Sequence, residues 1–189
     1  ITVCFNCERT IENTIKSVIN QDYKDIEYIV IDGASTDNTL KIINKHDYKI
    51  SKIISEKDVG IYDAINKGIN VASGEILSLL HGNDIFADNQ VLSKVASYFF
   101  KNKDLDILIA DVAFKKNLKD MEFSRYYPSK YFKPWMLRIG YSPPHLSSFL
   151  TKKAISINGP YDNNFKIAGD FEFFVRCFLK NKFIFKIIN

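Results

Sequence analysis

The chain has 189 residues, 46% hydrophobic and 25% charged, with a formal net charge of +4, a size and balance that suit one α/β domain with a buried core. It carries no cluster of five or six like charges, which speaks against a nucleic-acid partner, and no run of about 18 apolar residues, which excludes a membrane-spanning helix. Its three cysteines, Cys4, Cys7 and Cys177, form no disulfide framework and read as reduced thiols in a cytoplasmic setting.

In chain order, residues 1–5 read as a short buried strand. Cys4 and Cys7 form a C-x-x-C, but no second pair supplies a zinc site and Cys4 lies inside the strand, so ordinary packing is expected. Thr10 is placed to cap a helix with apolar positions Ile11, Ile15, Val18 and Ile19. Residues 26–31 form a β-branched second strand. Asp37 is placed to cap a helix carrying Leu40 and Ile43. A weaker third strand covers 50–55. Gly60 precedes a helix with Ile61, Ala64, Ile65, Ile69 and Ala72, which Gly74 closes. A fourth strand covers 75–80, Asp88 starts a helix through Val91, Leu92, Val95 and Phe99, and a fifth strand covers 105–110. This alternation predicts βαβ units and a mostly parallel central sheet flanked by helices, a single-domain nucleotide-binding sandwich.

Residues 115–145 change character, with lysines and the aromatics Phe123, Tyr126, Tyr127, Tyr131, Phe132, Trp135 and Tyr141. They read either as a substrate-facing loop region or as an aromatic mini-core. A last helix is expected near 169–181, with Phe171, Phe174, Val175 and Phe178 on one face. No signal peptide is evident. The chain opens at Ile1 within a strand pattern and stops at Asn189 straight after an apolar stretch, so both ends read as cuts.

In parallel sheets ligands sit at the carboxyl ends of the strands, which directs attention to four segments. Ile31-Asp32-Gly33-Ala34-Ser35-Thr36-Asp37 offers a carboxylate to a base N–H or a ribose hydroxyl, or is simply a capped turn. His81-Gly82-Asn83-Asp84 is a polar cluster after a buried strand. A diphosphate leaving group needs Mg²⁺ or Mn²⁺, which takes hard oxygen ligands, and Asp84 with Asn83 or His81 suits that; a turn before the next helix is the other reading. Asp58 to Gly68 brings Asp63, Asn66 and Lys67 within one helical turn, either at the ligand edge or on a solvated face. Gly169-Asp170-Phe171-Glu172 opens a helix, and Asp170 is either its cap or a general base for an acceptor hydroxyl.

Several of these segments, in this order, resemble the family-2 glycosyltransferases, bacterial enzymes that build cell-surface polysaccharides. The resemblance is carried by Ile1 to Asn6, by Ser17-Val18-Ile19-Asn20-Gln21, and most strongly by Tyr28 to Thr39. Asp58 to Gly68, Gly74-Glu75, His81 to Asp84 and Gly169-Asp170 with Arg176 continue it, and only residues 112–140 match weakly. It implies a glycosyltransferase A type fold with a nucleotide-sugar half (1–111) and an acceptor-side half (112–189). It implies an inverting single displacement on a nucleotide-diphosphate sugar, UDP favoured, toward a saccharide or lipid-linked saccharide acceptor. Residue by residue, Asp32 would bind the base and Val3 and Phe5 would line its pocket. Asp58 and Asn83 would lie against the nucleotide, Asp84 would hold a Mn²⁺ or Mg²⁺ cation, and Asp170 would be the base. Asp63, Asn66, His81, His145 and Glu172 are candidate donor or acceptor contacts. The family often has two acidic residues where this chain has Asn83-Asp84, so the cation is expected to arrive with the donor. A lipid-linked acceptor would imply peripheral association with the inner face of the plasma membrane, aided by the lysines and aromatics of 115–135. An inactive nucleotide-sugar-binding or scaffolding domain is the alternative. A nucleotidyltransferase would want a glycine-rich phosphate loop where the chain has Asn6-Cys7-Glu8-Arg9, and no G-x-G-x-x-G supports a dehydrogenase.

Overall fold

The computed structural model describes residues 1–115 and 123–188. The first strand, β1 (Thr2–Cys4), is buried along its length. Helix α1 (Ile11–Ile19) follows with Ile11, Ile15 and Val18 turned inward at helical spacing. Thr10 stands at its N-cap position as expected, but its side chain makes no capping bond. Its hydroxyl donates instead to the carbonyls of Gly82 (2.8 Å) and Cys7 (3.3 Å), tying the start of α1 to a loop 72 residues away. Strand β2 (Ile29–Asp32) begins later than expected and includes Asp32. Helix α2 (Thr39–Asn44) starts two residues after Asp37, whose carboxylate accepts from the Thr39 N–H at 2.9 Å. Strand β3 (Lys52–Ser55) and helix α3 (Ile61–Val71) match their expected places, although α3 stops before Gly74.

The expected fourth strand is two strands. β4 (Ile76–Ser78) and β5 (Leu80–His81) are separated by Leu79 and belong to different sheets. β5 pairs in parallel with β1, which completes a parallel sheet in the order β3-β2-β1-β5. Helix α4 (Val91–Lys101) leads to β6 (Ile107–Ile109).

The aromatic segment then divides. Strands β7 (Val112–Phe114) and β8 (Arg125–Tyr127) form an antiparallel ribbon, and two 3₁₀ turns follow at Ser129–Tyr131 and Pro134–Ile139. Phe132 is buried with its ring edge-on to Phe178 and Phe185, whereas Phe123, Tyr126, Tyr131 and Trp135 are exposed. Phe132 therefore packs as the aromatic mini-core reading expects, while the exposed aromatics stay on the surface; 116–122 lie outside the described residues.

Three elements had no clear periodic signal: β9 (Ser148–Thr151), helix α5 (Lys152–Asn158) and β10 (Phe185–Ile187). β9 inserts antiparallel between β4 and β6, giving a second sheet in the order β10-β6-β9-β4. Helix α6 (Gly169–Val175) runs on into a π-helical turn at Arg176–Lys180. The segment 76–81 joins the sheets, since its first part pairs with β9 and its second with β1. The largest apolar cluster unites both halves of the chain: Val3, Ile31, Ile65 and Leu77 pack in one cluster with Ile107, Leu150, Phe173 and Phe174.

Candidate donor and catalytic site

Because β1, β2, β3 and β5 run parallel, Cys4, Asp32, Ser55 and His81 end on one edge of the sheet, in register as Cys4 with Asp32 and Asp32 with Ser55. The loops leaving this edge carry most of the candidate residues. Asp32 is fully buried. Its carboxylate accepts from the Ser35 N–H (3.1 Å), the Ser35 hydroxyl and the Ser55 hydroxyl (2.7 Å), and the Cys4 thiol points at it from 3.9 Å. Within the protein Asp32 thus fixes the 33–36 loop and ties it to β3. Val3 is likewise only 4% exposed and packs in the core, whereas Phe5 is 60% exposed at the loop edge.

Phe5 shares its place with Asp58. A Cβ built on Gly33 would stand 2.5 Å from Asp58 Oδ2 and 3.4 Å from the Phe5 ring, so both side chains converge over the bare glycine backbone. One further residue, Asn6, completes this rim. The Asn6 side chain accepts the Thr36 N–H at 2.8 Å, and the Asn6 N–H donates to the Ser35 hydroxyl at 2.8 Å. Asn6 has a φ of +47°, in the left-handed region that asparagine tolerates better than most residues. Only that backbone requirement marks it, and it is invisible before the fold is known.

Three of the expected donor or acceptor contacts are engaged within the protein. Asp63 accepts from the Val59 N–H (3.1 Å) and lies 3.4 Å from Lys67 Nζ, which also reaches Glu56 (2.9 Å) and the Lys57 carbonyl (2.7 Å). This braces the 56–60 loop that presents Asp58. Asn66 donates to the Tyr161 carbonyl (2.8 Å) and to Asn163 (3.0 Å) and accepts the Tyr161 N–H (2.9 Å), so its amide is spent on the 161–163 loop. Glu172 takes both arms of Arg176, at 2.7 and 2.9 Å, while the guanidinium also donates to the carbonyls of Asn158 and Pro160. In the protein by itself all three side chains thus serve as internal ties.

His81 and Asp84 stand together, with Nδ1 3.9 Å from Asp84 Oδ2. The distance alone suggests an ion pair, but the protonation tendencies oppose one. Burial pushes the His81 imidazole down, against the pull of Asp84 and Asp170, and burial pushes the Asp84 carboxyl up, against the pull of His81. Desolvation wins on both sides, which leaves a neutral imidazole beside a carboxylate lacking a cationic partner. His81 Nε2 is buried with no hydrogen-bond partner, and Asn83 is exposed on the same loop. Among the described residues no group of three His, Cys, Asp or Glu forms a metal cage. Asp84 is thus the carboxylate this loop offers beside His81 and Asn83.

On the other side of His81 lies the start of α6. Asp170 is half-buried, with the Tyr62 hydroxyl 3.5 Å from its Oδ1. Its charge reaches both His81 and His145. The His145 ring lies 6.4 Å from that of His81, and its Nε2 is 2.7 Å from the Tyr161 hydroxyl. Burial holds His145 at about 4, against the pull of Asp170 and reinforced by His81, so it is neutral at physiological pH and shares a hydrogen bond with the Tyr161 hydroxyl. The structure thus gathers His81, Asp84, His145 and Asp170 about one point, with Asp58 and Phe5 on the adjacent rim.

The profile of glycosyl transferase family 2 matches residues 1–162. A PGL/p-HBAD biosynthesis glycosyltransferase of Mycobacterium bovis (strain BCG / Pasteur 1173P2) is 27% identical over 167 residues, which are 87% of this chain and 62% of that protein. The chain thus spans less than two thirds of this relative. An uncharacterized glycosyltransferase of Mycobacterium tuberculosis is 32% identical over 180 residues, 95% of this chain and 68% of its own. Among solved structures, S. aureus TarS 1-349 in complex with UDP superposes with a TM-score of 0.74 at 19% identity, covering 100% of this chain and 60% of that one. A mannosyltransferase from Pyrobaculum calidifontis in complex with GDP-Man and Mn²⁺ superposes with a TM-score of 0.71 at 14% identity, covering 99% and 53%. The fold is of the glycosyltransferase A type.

Proposed function

The chain belongs to glycosyl transferase family 2, and on that premise we propose that it moves a sugar from a nucleotide-diphosphate donor, UDP-linked by preference, to a hydroxyl acceptor with inversion. The observation that supports this reading is the clustering about His81 of two carboxylates, Asp84 on its own loop at 3.9 Å and Asp170 at the start of α6 in the second half of the chain. A transferase needs two such groups on opposite sides of the reacting carbon. One meets the leaving diphosphate and the other the incoming hydroxyl.

Asp84 would hold the divalent cation, whose chemistry is to neutralise the charge that develops on the departing diphosphate. The chain's own residues do the rest. The 33–36 loop, fixed by Asp32, and the Phe5–Asp58 rim would receive the nucleoside. The acceptor oxygen forms a bond to the anomeric carbon as the bond to the diphosphate oxygen breaks, its electron pair leaving with the nucleotide. The acceptor proton passes to Asp170. His145, held neutral by burial, adds no positive charge that would compete for Asp170's proton-accepting role.

In this reading residues 1–111 serve the donor and 112–189 the acceptor, and the product belongs to a cell-surface polysaccharide or glycolipid assembled at the cytoplasmic face of the membrane. Among the described residues no helix is long and apolar enough to cross a membrane. Phe114, Phe123, Tyr131, Trp135 and Ile139 are exposed beside Arg125, Lys130, Lys133 and Arg138, which supports peripheral contact with an anionic surface.

The test is calorimetric titration of UDP and GDP with and without Mn²⁺, coupled to nucleotide release from UDP- and GDP-sugars. UDP binding should strengthen with Mn²⁺ and weaken about tenfold in Asp84→Ala. Asp170→Asn should keep UDP affinity and lose about a hundredfold or more in turnover. Wild-type turnover in Asp170→Asn would remove the base assignment, and absence of any nucleotide binding would favour the inactive scaffold.

A further inference from the structure

Tyr62 lies on the second residue of α3, directly after the loop that presents Asp58, yet its side chain points into the other half of the chain. Its ring is 8% exposed. It lies in a column of parallel rings, 5.9 Å from Tyr161 at an interplanar angle of 6°, and Tyr161 in turn stacks on Phe173 at 4.1 Å and 4°. The column fixes where the hydroxyl can be. That hydroxyl accepts the N–H of Gly169 at 2.8 Å, one of the N-terminal amides that α6 cannot satisfy internally. With the oxygen engaged by that amide, its own proton is directed outward, and Asp170 Oδ1 is 3.5 Å away. Such contacts are often long without substrate and tighten when it binds.

The chain next to this contact is built around the tyrosine. A Cβ on Gly169 would come within 2.7–3.0 Å of three Tyr62 ring atoms, so only glycine lets α6 start this close to α3. Ala168 has a φ of +64°, the strained left-handed turn that aims the Gly169 N–H at the hydroxyl. Two costly backbone choices thus serve one side chain that touches Asp170.

We infer that Tyr62 is the positioning residue of the catalytic base: through its hydroxyl it sets the first turn of α6 and orients the Asp170 carboxylate relative to the donor loop carried by the same helix. The inference rests on the reading of Asp170 as the base. Tyr62 belongs to α3, whose first turn also holds Asp63 and braces the loop of Asp58. Donor loop and base are therefore referred to one helix end, and the distance between the two reaction partners is fixed by a single element.

The groups facing Asp170 are Tyr62 from α3, His81 from β5, His145 from the loop before β9 and Tyr161 from the loop before α6, while Glu172 on α6 is paired with Arg176 of the turn that follows. Glu172 is taken up by Arg176, so the Tyr62 hydroxyl, 3.5 Å from Oδ1, is the donor placed to meet the Asp170 carboxylate.

The experiment measures nucleotide release by the intact protein with Mn²⁺, water as acceptor, and whichever of UDP-N-acetylglucosamine, UDP-glucose or GDP-mannose turns over fastest, as a function of pH. Tyr62→Phe should lower kcat about tenfold with the donor KM changed less than about twofold, and should move the acidic limb of the kcat profile to higher pH. Tyr62→3-fluorotyrosine keeps the shape and strengthens the O–H donor, so it should move that limb the opposite way; it also serves if the phenylalanine variant does not fold. An unmoved acidic limb in both variants, with Asp170→Asn inactive, overturns the role of Tyr62 alone. Activity in Asp170→Asn instead overturns the base reading beneath it.

Discussion

A methyl group added at Gly82 would stand 2.7 Å from Cys7 Sγ and 2.8 Å from Cys4 Cβ. Cys7 is half-buried and able to give way, but Cys4 belongs to β1. The Gly82 backbone is held on both sides, its N–H donating to Val3 O at 3.0 Å and its carbonyl accepting from Thr10. Gly82→Ala should therefore cost about 1–3 kcal/mol of stability, because overpacking at a fixed backbone cannot relax. It should also push the neighbouring Asn83 and Asp84 outward and weaken Mn²⁺-dependent UDP binding about tenfold. Denaturant unfolding and calorimetry read the two effects. UDP affinity equal to wild type would detach this loop from the donor site. At this scale the sequence shows positions better than roles. Asp32, Asn66 and Glu172 all stand out as polar residues near strand or helix ends. Their partners Ser55, Tyr161 and Arg176 lie 23, 95 and 4 residues away, and nothing in a linear pattern tells a carboxylate that meets a ligand from one that meets its own chain. Tyr62 sat inside a recognised segment without notice because a buried aromatic reads as core until its hydroxyl is seen to face a carboxylate.

The elements legible in advance are those with a strong period. Helices α1, α3 and α4 each present a continuous apolar stripe, and β1, β2 and β6 are buried apolar runs. The 76–81 segment looks like one strand because both its parts are apolar; that it changes sheets at Leu79 depends on β9, whose four residues carry no period of their own. The β7–β8 ribbon and the turns after it are the least legible, since their aromatics divide between the core and the surface. Their exposed share supports an expectation that belongs to this element. Cosedimentation with phosphatidylserine-containing vesicles should be salt-sensitive and should fall in the double variant Trp135→Ala, Ile139→Ala without loss of UDP affinity. No cosedimentation by the intact protein at low salt would remove the membrane-facing role.

Across the whole molecule, the two halves are tied by polar contacts as well as by their common apolar cluster. Asn66 on α3 holds 161–163 and Tyr62 holds the start of α6. Asn66→Ala removes three hydrogen bonds at once and leaves the Tyr161 backbone without its partners. It should cost about 1–3 kcal/mol of stability, and turnover should fall by more than UDP affinity, because the column under Asp170 loosens while the donor loops keep their own ties. Equal losses in turnover and affinity would mean that the halves respond as one body.

The placement of β9 has a consequence for the order in which the chain is made. β4 and β6 flank it, and β9 follows the end of β6 by about forty residues, several seconds of ribosomal synthesis. During that interval both flanking strands exist without the neighbour that covers their inner edges, and such edges are templates for pairing with other chains. The nascent protein thus passes through a stage in which its nucleotide half is nearly assembled while its second sheet is still open, so slowing elongation before Ser148 would lengthen the time it depends on chaperones.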